Sequence, residues 1–208
     1  MKLRLPLLSS LVAALLCNAA SALSVQIPSF TELVGQADLI AKTEVADVRC
    51  QWQNTKDGKV ITTTVTFKVL EAIKGTSAPQ FEFTQLGGQV GSDGMHIAGL
   101  PEWHKGERDI LFVAGNGKVV CPLVGITHGR YWVVKESGVE YVAKCDGAAL
   151  ADVSDVSSPV AESKHNVMIP RALKVAGPND SPLTVADFTG AVRAEIGRIE
   201  KAAKQASN

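Results

Sequence analysis

Apolar and polar residues alternate along most of the chain between residues 37 and 145. In the clearest run, within residues 61–73, one parity carries Ile61, Val65, Phe67, Val69 and Ile73, and the other carries Thr62, Thr64, Thr66 and Lys68. Because successive side chains of a strand point to opposite faces, this alternation predicts strands that bury one face. The same pattern predicts further strands at residues 39–45, 81–83, 119–124, 130–135 and 139–145. Residues 110–113 form an uninterrupted apolar run, which is typical of a central strand buried on both faces.

The predicted strands are short and are separated by turn residues. Asn116-Gly117, for example, predicts a tight hairpin turn. Seven or eight such strands predict a mainly β fold over residues 23–147. We expect a small antiparallel barrel of the OB or netrin-like kind, or a sandwich.

Residues 86–107 interrupt the alternation with six glycines and Pro101. Glycine permits positive φ and close approach of the backbone, so we predict loop and bulge here, with a short strand around residues 95–100. A connection of this length is uncommon in a compact domain unless it is functional or disordered.

The C-terminal part changes composition. Residues 148–182 are rich in Ala, Ser, Asp, Val and Pro, which predicts an irregular linker lying across the barrel, with residues 167–170 docked on it. The pattern of residues 183–204 predicts a helix whose N-cap is Thr184, with Leu183 packed on Phe188. Its apolar stripe consists of Phe188, Val192, Ile196, Ile199 and Ala203. Such a stripe favours a helix that covers one end of the barrel, and a partner-binding helix is the alternative.

Residues 1–22 have the organisation of a cleaved secretory signal peptide. Lys2 and Arg4 precede an apolar stretch, and Ala20-Ser21-Ala22 forms a small-x-small cleavage site. The stretch is too short to span a membrane comfortably, and no second apolar run reaches spanning length. We therefore expect an exported protein, periplasmic or extracellular, without a membrane span after cleavage.

The charge balance argues against one class of partner. The chain has 21 basic and 21 acidic side chains, and removal of Lys2 and Arg4 leaves 19 basic ones. A nucleic-acid binder normally needs a broad basic field, so we expect no nucleic-acid partner.

Three cysteines remain after cleavage: Cys50, Cys121 and Cys145. An odd count in an oxidising compartment predicts one disulfide and one free thiol. We predict a Cys121–Cys145 disulfide, which would close the segment that contains the last hairpin. The alternative is three buried, unpaired cysteines.

Motifs for catalysis are missing from the sequence. It contains no zinc-binding spacing such as HExxH or CxxC, no G-x-S-x-G elbow and no Ser-x-x-Lys. We predict that the protein is not an enzyme and that it uses neither a metal nor a cofactor.

Three segments carry a family resemblance: residues 37–40, 64–75 and 106–113. Their succession is similar to that in uncharacterised secreted bacterial β-barrel domains, some of which accompany matrixin-type metalloproteases. It resembles, more distantly, the netrin-like OB barrel of tissue inhibitors of metalloproteinases. The resemblance implies a β-barrel whose partner is an exported protease. Those inhibitors chelate the protease zinc with an N-terminal cysteine, whereas cleavage here leaves Leu23 first, so their mechanism is not implied.

These observations favour an exported, non-catalytic β-domain that binds a protein or a cell-envelope component. The alternative is a small secreted hydrolase with a metal or carboxylate site built by the Gly-rich segment. The proposed binding residues are His96, Trp103, His104, His128 and Arg130. We expect His96, His104 and Arg130 to be exposed, so that replacing the three together leaves stability nearly unchanged. In the competing interpretation Trp103 and Ile97 plug one end of the barrel.

Overall fold

The computed structural model describes residues 26–75, 78–160, 173 and 181–207. The helices are α1 (Phe30–Gln36) and α2 (Val185–Ala206), with 3-10 turns at Ile126–Gly129 and Val153–Ser157. The strands are β1 (Leu39–Thr55), β2 (Gly58–Lys74), β3 (Gln80–Leu86), β4 (Gly88–Val90), β5 (Asp93–Met95), β6 (Arg108–Val113), β7 (Arg130–Glu136) and β8 (Val139–Ala143).

Six strands form one antiparallel sheet in the order β3-β2-β1-β6-β7-β8, and β4 pairs with β5 in a separate hairpin. The prediction of a mainly β fold is therefore confirmed. Among the described residues, no pairing between β3 and β8 closes the sheet into a barrel.

The first two strands form a long ribbon. β1 and β2 each have 17 residues, so they are far longer than the short strands that the sequence predicts. They pair from Ile40 with Lys74 to Thr55 with Gly58 at the tip, with register shifts along the way. The tip is exposed on both faces, so it lacks the apolar alternation by which a half-buried strand is recognised.

The sheet is covered on both faces. One cluster packs α1, α2 and the residues around Leu150 against the sheet, and it includes Ile110 and Phe112. The second cluster lies on the opposite parity of β6, with Leu111 and Val113, and contains Phe67, Phe83 and Trp103. The prediction that residues 110–113 are a central strand buried on both faces is confirmed, because β6 lies between β1 and β7.

Two features of the β domain differ from the prediction. Residues 119–124 do not form a strand, and a single bridge joins Leu123 to Val113. Val119 and Val120 are about half exposed, so the apolar run is not buried along its length. The Asn116-Gly117 turn forms, but it does not join two paired strands. In the Gly-rich segment the strands are β4 and β5, rather than one at residues 95–100.

Helix α1 is an element that the sequence analysis did not predict. Its N-cap is Ser29, whose side chain accepts a hydrogen bond from the Glu32 N–H, while the Glu32 carboxylate accepts one from the Ser29 N–H. This capping box was visible in the sequence as Ser-x-x-Glu. Leu33 and Val34 of this helix are fully buried in the first cluster.

The predicted linker is ordered at its start. Leu150 and Val156 are buried in the first cluster, so residues 148–158 pack on the core. The predicted docking segment, residues 167–170, lies outside the described residues.

The C-terminal helix forms as predicted. The Thr184 side chain accepts a hydrogen bond from the Asp187 N–H at 3.1 Å, which caps α2. Phe188 and Val192 are fully buried in the first cluster, whereas Ala203 of the predicted stripe is exposed. The first half of α2 thus covers the sheet. No described helix is long and apolar enough to cross a membrane.

Candidate functional site

A cavity of about 590 Å³ lies between the sheet and the Gly-rich segment. Its floor comes from the ribbon and β3, through Val48, Cys50, Thr63, Gln85 and Leu86. Its opposite wall comes from residues 87–89, 94–97 and 100–104. The cavity therefore joins a rigid sheet to the segment that the sequence analysis singled out.

Strand register places the floor residues side by side. Cys50 pairs with Thr63, and Thr63 pairs with Gln85, so the three side chains share one face in a row across three strands. The Cys50 thiol lies 3.3 Å from Thr63 Oγ1, and Thr63 Oγ1 donates a hydrogen bond of 2.6 Å to the Gly87 carbonyl. The Gly-rich strand is thereby anchored directly on the floor.

Gly88 makes this close approach possible. Its φ is +130°, and a Cβ at this position would lie 2.7 Å from the Cys50 sulfur and closer still to Thr63 Oγ1. A side chain here would clash with the floor and would also strain the backbone, so glycine is required.

Trp103 forms the inner end of the wall. Its indole N–H donates to Gln85 Oε1 at 3.0 Å, and Gln85 Nε2 donates to the Pro101 carbonyl at 2.8 Å. The ring packs edge-on against Phe67 and Phe83 with centroid distances of 5.1 and 5.3 Å. Trp103 is thus a buried core residue whose indole also lines the cavity.

Arg130 holds the wall from behind. Its guanidinium donates to Asp109 at 2.9 Å, to Glu107 at 2.7 Å and to the Glu102 carbonyl at 2.6 Å. Its Cζ lies 3.9 Å from the centroid of the Trp103 ring. Only 3% of the Arg130 side chain is exposed, so the expectation that it lies on an exposed binding face is wrong.

The buried charges influence one another. Burial raises the pKa of Asp109 above its ordinary value, although the charge of Arg130 acts in the opposite direction. Burial alone would lower the pKa of Arg130, but nearby acidic groups, Asp109 first among them, outweigh it and raise the pKa. Arg130 is therefore a permanent cation that two carboxylates surround.

The histidines separate into two groups. His96 and His104 are exposed and line the cavity. Glu107 orients His104, because its carboxylate accepts the His104 N–H at 2.8 Å and lies 2.9 Å from the ring Nδ1. His128 is buried, with its Nδ1 3.2 Å from the Gly125 carbonyl, and it does not line the cavity. Of the predicted binding residues, the structure thus brings His96, Trp103 and His104 together.

The structure contains no disulfide at the predicted position. Cys50, Cys121 and Cys145 are free thiols in the structure, so the predicted Cys121–Cys145 bond is not formed there. Burial raises the pKa of Cys121 to about 11 and that of Cys145 to about 12. Cys50 is half-buried and is the cysteine that lines the cavity.

The floor of the cavity is not predicted by the sequence pattern. Thr63 and Gln85 are polar residues at positions where the alternation of their strands places apolar side chains, and this departure is visible in the sequence. That the two side chains lie next to each other depends on strand register, which the sequence pattern does not give. Among the described residues, no group of three or more His, Cys, Asp or Glu side chains could hold a metal ion.

No protein-family model matches the chain, and no curated protein matches it.

Proposed function

We propose that this protein is an exported, non-catalytic β-domain that binds part of a protein or cell-envelope component in the cavity under its Gly-rich segment. The observation that carries the proposal is the lining of that cavity. Val48, Met95, Ile97 and Leu100 are only partly buried around it, next to the exposed His96 and His104.

The size and composition of the cavity support a binding role. Ligand sites in proteins are typically concave, about 300–1,000 Å³ in volume, and mainly apolar with a few polar groups. The volume of about 590 Å³ falls within this range, and Val48, Met95, Ile97 and Leu100 give the lining apolar side chains that are partly exposed. The remaining apolar surface is available for burial against a ligand.

The wall of the cavity is preorganised, which also supports binding. Arg130 and Gln85 tie the wall to the sheet through the Glu102 carbonyl, Trp103 and the Pro101 carbonyl. A surface that is already ordered loses little conformational entropy when a ligand binds.

The hydrolase alternative is less well supported by the arrangement of the carboxylates. Asp109 is fully buried and bonded to Arg130, and Glu107 bonds both Arg130 and His104. A pair of acidic side chains that is engaged in this way is poorly placed to transfer protons to and from a substrate.

We also propose that the domain is related to exported barrels of the OB or netrin-like kind. Its support is a segment that contacts two separated strands. The Leu86 N–H donates to the Val120 carbonyl at 3.2 Å, and the Val124 N–H donates to the Phe112 carbonyl at 2.9 Å. Residues 120–124 thus reach from the edge of β3 to β6, as a closing strand of a barrel would. An exported protease is the partner that this kinship suggests.

A capture experiment tests the proposal. Mature protein is immobilised and exposed to the proteins and envelope extract that its source exports, and captured species are identified by mass spectrometry. We compare the native protein with the double variant Met95→Ser/Ile97→Ser, which changes the wall. The matched control is Val119→Ser/Val139→Ser, which changes two exposed valines outside the cavity lining.

We expect one species to be captured by the native protein and the control but lost from the cavity variant, with all three proteins equally folded by circular dichroism. Equal capture by the cavity variant would contradict the proposal. To test the two histidines, the double variant His96→Ala/His104→Ala is used. Arg130 is left unchanged because it is buried.

A further inference from the structure

We propose that the free edge of β1 pairs with the same edge of a second copy of this protein, so that the two sheets join into one. This inference goes beyond the proposed ligand binding, because it concerns an edge of the sheet and a different partner. It follows from the position of the edge, the direction of its backbone groups and its complementarity to itself.

The second half of β1 has a neighbouring strand on one side only. Strand β6 pairs with β1 from Leu39 to Glu44, and the residues before β6 add two backbone hydrogen bonds at Val45. Farther along, β2 is paired with β1 on one side, and none of the described residues pairs with the other side from Asp47 to Thr55. Such an edge presents unpaired N–H and C=O groups that another strand can bind.

The backbone of Trp52 points towards this open edge. The Ile61 carbonyl accepts a hydrogen bond from the Gly87 N–H at 2.8 Å, so the backbone groups of Ile61 point away from β1. Opposite residues of an antiparallel pair either exchange both hydrogen bonds or exchange none, and Ile61 lies opposite Trp52. Trp52 therefore directs its N–H and C=O away from β2. Because this direction alternates along a strand, the same holds for Val48, Cys50 and Asn54.

The edge has few of the features that keep strands apart. Residues 48–55 contain no proline and no lysine, and Arg49 is their only charged residue. Its guanidinium is already paired with Asp47 and Glu82 of its own chain. Trp52, near the middle of the edge, is 46% exposed. Since proteins usually protect an open edge with charges, prolines or a covering segment, this edge indicates a partner strand.

A second copy fits because the edge is complementary to itself. Two copies of β1 can pair antiparallel about a two-fold axis, which is the commonest symmetry of homo-oligomers. The middle of the open edge is Gln51, and with Gln51 at the axis the residues whose backbone points outwards lie opposite one another. Cys50 then faces Trp52, and Val48 faces Asn54. The unpaired groups of one copy are thus satisfied by those of the other.

The charges of the edge are compatible with this register. Gln51 faces Gln51 of the second copy, Arg49 faces Gln53, and Asp47 faces Thr55. No like charges lie opposite one another, which would be destabilising in a sheet. A pairing with Arg49 at the axis, by contrast, would bring two guanidinium groups together.

In this arrangement each copy adds a residue to the cavity of the other. A two-fold axis normal to the joined sheet keeps equivalent faces on the same side, and Cys50 lines the cavity of its own chain. The Cβ atoms of opposite residues lie about 4.5–5.5 Å apart, so Trp52 of the second copy lies beside Cys50 at the cavity. The half-exposed indole thereby loses apolar area to the contact, which favours the dimer.

Sedimentation velocity of the mature protein tests the pairing. We expect a concentration-dependent dimer for the native protein, and a monomer for Gln51→Lys and for Gln51→Glu, because each places two like charges opposite one another at the axis. Val139→Lys is the matched control and should remain a dimer, since Val139 is an exposed residue at the start of β8. An equimolar mixture of Gln51→Lys and Gln51→Glu should restore the dimer, because opposite charges then meet.

Disulfide cross-linking tests the register. In a Cys50→Ser background, Gln51→Cys should form an interchain disulfide several-fold faster than Gln53→Cys, because only residue 51 faces itself in the second copy. The two positions are matched, since both are exposed and lie on the same face of β1. The product is identified by non-reducing peptide mapping.

A native protein that stays monomeric at every concentration would overturn the inference, and so would an edge that pairs only with a strand of another protein. A dimer that persists equally in Gln51→Lys, or equal cross-linking of the two cysteine variants, would place the contact elsewhere and overturn it as well. The capture experiment decides the proposed function, whereas sedimentation decides the dimer, so the failure of one is distinguishable from the failure of the other.

Discussion

The guanidinium of Arg130 lies over the Trp103 ring, with its carbon 3.9 Å from the ring centroid. They come from β7 and from the segment before β6, so the contact joins the sheet to the wall of the cavity. The same guanidinium binds two carboxylates and the Glu102 carbonyl. One buried arginine therefore determines where the wall lies.

Replacing Arg130 should destabilise the protein strongly. Arg130→Met leaves Asp109 and Glu107 buried without their cation, which typically costs about 3–5 kcal/mol when one partner of a buried ion pair is removed. Urea denaturation measures the loss. Arg49→Met is the control, because Arg49 forms an exposed pair with Glu82, and exposed pairs contribute only about 0–1 kcal/mol. Equal stability of the two variants would show that the Arg130 cluster does not hold the fold.

Gly88→Ala should also be destabilising, by about 1–3 kcal/mol from backbone strain alone. Its Cβ would meet the Cys50 sulfur and Thr63 Oγ1 at a φ of +130°. Gly94→Ala is the matched control in the neighbouring strand, since nothing lies within 4 Å of its Cβ position and its φ is not in the left-handed region. Thermal melting compares the two, and the idea fails if Gly94→Ala loses as much stability as Gly88→Ala.

The stability of the reduced protein should fall at alkaline pH. The pKa of Cys121 is raised from 9.0 to about 11 and that of Cys145 to about 12, in both cases by burial. Above pH 9 the unfolded chain releases these thiol protons while the folded protein retains them. The free energy of unfolding therefore decreases as pH rises, by up to about 1.4 kcal/mol per pH unit for each thiol.

Urea denaturation between pH 8 and about 10.5, with a reductant present, checks this dependence. In this range the protonation of the two thiols differs between the folded and the unfolded protein. Cys145→Ala and Cys121→Ala should each reduce the slope. A slope that is the same in native protein and Cys145→Ala would contradict the prediction.

Export should remove residues 1–22. The Ala20-Ser21-Ala22 motif predicts cleavage after Ala22, so the exported protein should begin at Leu23. Intact-mass spectrometry of protein recovered from the exported fraction checks this. Recovery of a chain that retains Met1 would refute it, and peptide mapping without reduction of the same sample would report whether Cys121 and Cys145 become linked after export.

The strands and the C-terminal helix were predictable because local periodicity encodes them. The alternation in residues 61–73 and the apolar run of residues 110–113 both became strands, and the stripe that begins at Phe188 became α2. Residues 119–124 show the limit of this reasoning. They are as apolar as a strand, but only Leu123 forms a bridge, and Val119 and Val120 face solvent.

The sequence by itself determined which faces of the strands are apolar, because the alternation of buried and exposed side chains is a local property of each strand. It also showed that the Gly-rich segment lacks this alternation. Tertiary structure alone decided the cavity. Cys50, Thr63 and Gln85 meet through strand register, which no single strand encodes. It also reversed the expectation for Arg130: a lone arginine is normally exposed, but two carboxylates distant in sequence make its burial favourable.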